Sequence, residues 1–142
     1  MGMDMYFSAC MRASADSKAY KALLKVFGLN PIPDSIAELS LRFFHTKNAF
    51  HVHDWLVKTV SYGRDPEQGF TMERRDLEDL VIQCKRVVNH KTKSGRLLPL
   101  KGRRSKIENE RCYFEAQYAI EHISPILENP KYAECGFYYV IS

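Results

Sequence analysis

No apolar run in this 142-residue chain approaches the ~20 residues that span a bilayer. No apolar signal core follows Met1-Gly2-Met3-Asp4 either, so the expectation is a soluble, cytoplasmic protein. Gly2 invites a myristoylation reading, but position 6 is Tyr6 rather than Ser or Thr, and the motif fails. The four cysteines, Cys10, Cys84, Cys112 and Cys135, contain no C-x-x-C pair, which favours plain thiols in a reducing compartment over a disulfide or metal site. Catalytic signatures are missing: there is no G-x-S-x-G, no G-x-x-x-x-G-K-[ST] and no H-E-x-x-H. Lys93-Ser94-Gly95 resembles one element of penicillin-binding enzymes, but their S-x-x-K is absent and the chain is far too short. The reading is a protein that is not an enzyme, with no catalytic residue, no cofactor and no metal. Repeats and low-complexity tracts are also lacking.

One sixteen-residue stretch lacks acid altogether. Residues 91–106 carry Lys91, Lys93, Arg96, Lys101, Arg103, Arg104 and Lys106 and no Asp or Glu. The whole chain is +4, this segment is +7, and the remainder is therefore −3. Positive charge concentrated in this way attracts phosphate chains and acidic surfaces. Gly95, Pro99 and Gly102 break any period, so the segment reads as a loop. Leu97, Leu98 and Leu100 are placed to tether it to the core. If the loop folds back over the preceding helix, Arg74, Arg75, Lys85 and Arg86 extend the patch. The plainer reading is a solvated loop that only aids solubility, and no recognised nucleic-acid module accompanies it.

With 45% hydrophobic and 27% charged residues, the composition is that of one globular domain over 1–142. Residues 3–10 alternate as a strand does. Tyr20, Leu23, Leu24 and Phe27 mark one helical face, after which Gly28 supplies a left-handed cap. From Ala37 the period is two: Ala37, Leu39, Leu41 and Phe43 point one way, and Glu38, Ser40, Arg42 and Phe44 the other. Residues 47–60 return to helical spacing through Ala49, Val52, Leu56 and Val60. Thr71 is a cap for the next helix, whose stripe is Leu77, Leu80, Val81, Cys84, Val87 and Val88. A last helix over 108–124 turns Cys112, Ala116, Ala119, Ile120 and Ile123 inward, and Pro125 ends or kinks it. Gly136 to Ile141 closes the chain as a strand. The order β-α-β-α-α-α-β predicts an α+β fold: a small antiparallel sheet including both terminal strands, with about four helices packed on it.

Histidines cluster at His45, His51 and His53, with His90 and His122 elsewhere. The helical stripe places His53 beside the apolar face, hydrogen-bonded near Trp55, and points His51 away from it. A zinc site would need ligands converging from separate segments. Tyr6, Phe7, Tyr113, Phe114, Tyr118 and Phe137 to Tyr139 can stack on bases, although alternate members of each strand must face the core.

Five patches carry a resemblance. They are Met1-Gly2-Met3-Asp4-Met5-Tyr6-Phe7, the helix Ala49 with His51-Val52-His53-Asp54-Trp55-Leu56-Val57, Leu97-Leu98-Pro99, Tyr113-Phe114 and Phe137-Tyr138-Tyr139. In that order, and from end to end, the chain resembles a family of small uncharacterised proteins of tailed phages and prophages. Family members begin M-G-L-D-M-Y-L, continue with A-x-A-I-H-K-W-F-V, L-L-P and Y-F, and finish near F-Y-Y. Two departures stand out. The family segment after L-L-P is Gly-rich, aromatic and acidic, whereas here it is Leu100-Lys101-Gly102-Arg103-Arg104-Ser105-Lys106. The helix around Tyr20 to Phe27 has no counterpart. The resemblance implies a phage or prophage accessory protein in the host cytoplasm, of a kind that modifies host machinery or blocks host defence by binding, and it brings no catalytic residues. The partner expected is nucleic acid or an acidic host or defence protein surface. A binder that sequesters a nucleotide signal and a homo-oligomeric scaffold without ligand are the alternatives.

Overall fold

The computed structural model describes residues 3–14, 18–26, 28, 36–62, 69–90, 97–98 and 108–142. Its strands are β1 (Asp4–Ser14), β2 (Ile36–Lys47), β3 (Phe70–Met72) and β4 (Gly136–Ile141). They form one antiparallel sheet in the order β2-β1-β4-β3. The helices are α1 (Lys18–Val26), α2 (Phe50–Thr59), α3 (Arg74–Asn89) and α4 (Glu108–Glu128). The α+β class is as the sequence predicts, and the two terminal strands are neighbours: Asp4 and Ser142 exchange backbone hydrogen bonds of 3.1 and 2.9 Å.

Period-two alternation builds the buried face. Met5, Phe7, Ala9 and Met11 of β1 and Phe137 and Tyr139 of β4 are all sequestered, with Phe44 of β2 and Met72 of β3. The strict alternation expected along β2 fails at one place. Phe7 pairs with Phe44, but Ser8 pairs with Arg42, so Phe43 is the extra residue of a bulge. Both Phe43 and Phe44 therefore lie against Phe7, with ring centroids 6.4 and 5.0 Å away, and Phe44 is core rather than outward-facing.

Two other boundaries move. Phe70–Met72 is a short strand pairing with β4, so Thr71 belongs to the sheet and Glu73 caps α3 instead. The Glu73 N–H donates to Asp76 Oδ2 at 2.8 Å, which satisfies an orphan donor of the first turn. Pro125 does not end α4, which runs on to Glu128. Ile126 and Leu127 beyond it pack on the core, and this burial offsets the hydrogen bond that proline forfeits.

The predicted stripes of α3 and α4 are inward-facing, and the structure packs the two helices together: Leu77, Leu80, Val81, Cys84 and Val87 on one, Cys112, Ala116, Ala119 and Ile123 on the other, are buried, with Val88 and Ile120 partly so. Small residues on α4 let the two backbones approach. The four cysteines are free thiols, and burial pushes Cys84 far up and Cys135 to about 11.

Gly28 has φ +69° and ends α1, as expected of a left-handed cap. Gly69 has φ +73° and lies under the Tyr138 ring, where a Cβ would come within 2.3 Å of the hydroxyl oxygen. Gly69→Ala thus meets both backbone strain and a clash. A loss of about 1–3 kcal/mol in urea denaturation is expected, and an unchanged midpoint would contradict this account of the turn.

Candidate anion-binding segment and its buried anchor

The described part of the basic segment is its centre, Leu97–Leu98, and this is where it meets the core. Leu98 is fully buried and Leu97 packs against the core cluster, as their apolar character predicts. Two side chains from different helices hold the backbone there. His51 of α2 places Nδ1 2.6 Å from the Leu98 carbonyl oxygen. Gln83 of α3 donates from Nε2 to the Leu97 carbonyl oxygen at 2.6 Å. A carbonyl only accepts, so His51 carries a proton on Nδ1, and the tautomer is fixed by the anchor.

Behind His51 stands Glu115 of α4. Its Oε1 accepts from the backbone N–H groups of His51 at 3.0 Å and Val52 at 3.5 Å. A helix on one side of the molecule thus caps the N-terminus of another, where orphan donors and the helix dipole favour an acceptor. Oε2 faces His51 Nε2 at 3.9 Å, with the two side chains 8% and 1% exposed, and accepts no hydrogen bond among the described residues. Burial raises the Glu115 carboxyl to about 8, further helped by Asp54, against the two backbone hydrogen bonds and Arg111, which lower it. The carboxyl therefore keeps its proton at neutral pH. With Oε1 already accepting, that proton belongs on Oε2, toward the imidazole. The arrangement is closed from solvent and suited to holding Leu98 in place.

Lys91, Lys93, Arg96, Lys101, Arg103, Arg104 and Lys106 lie outside the described residues, as does Leu100. The four helical cations divide. Lys85 and Arg86 are exposed; Arg86, three residues after Gln83, donates to the Gln83 side-chain amide oxygen at 3.5 Å, whereas Lys85, two residues on, faces away from Gln83. Arg75 is exposed at the opposite end of α3, eleven residues earlier, which is about 16 Å of helix. Arg74 is occupied: its Nε donates to Glu78 at 3.2 Å, and its guanidinium also donates to the Leu127 carbonyl at the end of α4, where a cation suits the dipole. The anchor therefore has Arg86 for a neighbour, whereas Arg74 caps α4.

The histidines do not converge, and no group of three His, Cys, Asp or Glu side chains that could hold a metal ion occurs among the described residues. His45 Nε2 sits 2.8 Å from Asp4 Oδ1 and stacks on Tyr6, centroids 4.7 Å apart and 8° from parallel. The Arg42 guanidinium also lies over the Tyr6 ring, at 4.3 Å. His122 bonds the Tyr118 carbonyl at 2.9 Å. The reading of His51 and His53 is reversed in part. His53 is hydrogen-bonded, Nδ1 to the Tyr139 hydroxyl at 2.6 Å, but His51, placed on the polar side by the stripe, is fully buried. The cause is tertiary: α4 and residues 97–98 cover the side of α2 that its own periodicity leaves polar. Burial lowers the His53 pKa, partly offset by Asp54, so its neutral imidazole can accept a hydrogen bond from the Tyr139 hydroxyl. Removing that hydroxyl with Tyr139→Phe is expected to cost about 1–2 kcal/mol in a denaturant titration, and an equal stability would show that the bond contributes nothing net.

Of the aromatics considered for stacking, Phe7, Phe137 and Tyr139 are core, while Phe114 and Tyr118 are exposed on α4. Reading the sequence missed Gln83 and Glu115 and the anchoring role of His51. Glu115 left one signal: with Cys112, Ala116 and Ala119 it shares the i, i+3, i+4, i+7 positions of an inward face, where a carboxylate requires partners. Among the described residues no helix is long and apolar enough to cross a membrane. Comparisons with family models, with curated proteins and with solved structures return no match for this chain.

Proposed function

We propose that this chain is a phage or prophage accessory protein that acts by binding an anionic partner, a nucleic-acid strand, through the basic segment 91–106. The observation that carries the reading is the anchor. A loop serving only solubility needs no fixed attachment, yet this one has a fully buried leucine and two carbonyls bonded to side chains from separate helices. Fixing the middle of a +7 segment reduces the entropy lost when its arms engage a phosphate chain. Arg86 borders the anchor and adds to its field. Contacts of this kind are salt-sensitive and largely independent of sequence, which suits a protein directed at host or competing nucleic acid.

Binding of labelled single- and double-stranded oligonucleotides, measured by anisotropy at about 50 mM salt, tests the proposal. Saturable binding that poly-glutamate displaces only weakly is expected. Strong displacement by poly-glutamate would redirect the assignment to an acidic protein surface, and absence of binding to either would refute it.

A further inference from the structure

A second surface of opposite character lies on the far side of Glu115. Phe114, Glu115, Gln117, Tyr118 and Glu121 of α4, with Thr46 of β2, line an open groove of about 380 Å³. Phe114 is 55% and Tyr118 40% exposed, a large apolar area for a surface helix. The lining offers solvent one carboxylate, Glu121, because Glu115 is buried with its carboxyl raised toward the neutral form, and it holds no basic side chain. Its walls are preset: the Tyr118 ring is packed 5.4 Å from Phe44 and 4.1 Å from His122, and its hydroxyl reaches the His45 carbonyl at 3.5 Å. Glu115 is held by its bonds to the start of α2. Exposed π faces beside carboxylates recognise an ammonium or guanidinium group.

The groove also borders a sheet edge. β2 is an outer strand of twelve residues, and among the described residues it pairs only with β1. An edge of this length offers backbone donors and acceptors to an added strand, whose alternate side chains face the same way as Thr46.

We propose that the groove between α4 and the edge strand β2 is a docking site for an extended peptide segment of a partner protein, with the peptide's main chain on β2 and its lysine or arginine side chains against Phe114, Tyr118 and Glu121. The site is independent of the basic segment and takes the opposite charge.

The test is fluorescence anisotropy with a labelled octapeptide of alternating lysine and threonine, against the full chain. Saturable binding below about 1 mM is expected. The peptide with glutamate in place of lysine should bind at least about tenfold more weakly, as should a backbone N-methylated version. Phe114→Ser and Glu121→Gln, both on the outer face of α4 and compatible with folding, should each weaken the peptide about fivefold. Equal binding of the lysine and glutamate peptides, or no effect of the two substitutions, would overturn the proposal. Lysine methyl ester binding as tightly as the peptide would overturn the strand component. A dimer seen by light scattering and abolished by Phe114→Ser would assign the groove to a second copy instead and would equally overturn it.

Discussion

Replacing Lys101, Arg103, Arg104 and Lys106 together with glutamate is expected to reduce nucleic-acid affinity at least about 100-fold at about 100 mM salt. The four reversals take the segment from +7 to −1. Each lost phosphate contact removes both a favourable interaction and the release of a condensed counterion, and each new carboxylate repels the backbone. The fold should survive, because the four positions lie outside the Leu97–Leu98 anchor. An unchanged thermal transition would separate lost binding from lost structure. Position on α3 then grades the effect: Arg86→Glu, beside Gln83, should cost about threefold, and Lys85→Glu, turned away from Gln83, and Arg75→Glu, at the far end, less. Retention of full affinity by the fourfold variant would remove the basic segment from the function.

Glu115→Ala is expected to cost about 2–4 kcal/mol of stability, because it strips the α2 N-terminus of its acceptor and leaves polar groups buried behind His51. The pH dependence isolates the cause. The native carboxyl holds its proton up to about 8, whereas the ordinary value is 4.5. Between these limits the native state binds more protons than the unfolded chain, so this group's contribution is fully present at the acid end and is lost as pH rises toward 8. Glu115→Gln keeps an oxygen for the two N–H groups and presents an amide donor to the Nε2 lone pair. It should flatten that slope and be more stable than the parent at about pH 8. A parent whose stability rises across this window, or a Gln variant that destabilises as much as Ala, would contradict the buried protonated carboxyl. Glu115→Ala also loosens the support of Leu98 whereas Glu115→Gln keeps it, so oligonucleotide affinity should fall with Ala and persist with Gln.

Local periodicity made most of the framework legible. The α3 and α4 stripes, the alternation in β1 and the left-handed Gly28 all come from near-neighbour sterics and one-sided burial, which a sequence displays directly. What was hidden depends on distant partners. Three residues, Phe70–Met72, form a strand only because β4 lies beside them. The β2 bulge puts two consecutive phenylalanines on one face, against the period. His51 is buried by elements far along the chain, from α4 and from 97–98, so the helix on which it lies cannot announce it. The basic segment shows the same division. Its charge is plain in composition, but the device that fixes it, a histidine and a glutamine gripping two carbonyls, is a product of the tertiary fold.

The most direct test of the account is the salt dependence of oligonucleotide binding by the unaltered protein and by His51→Ala. The parent should bind with log affinity falling linearly in log salt with a slope steeper than about −3, the mark of several phosphate contacts. The variant, deprived of the bond to Leu98, should keep a similar slope at lower affinity, because the charges remain but their attachment is loosened. A flat salt response in the parent, or an affinity indifferent to the loss of His51 in a variant that stays folded, would contradict an anchored anion-binding segment.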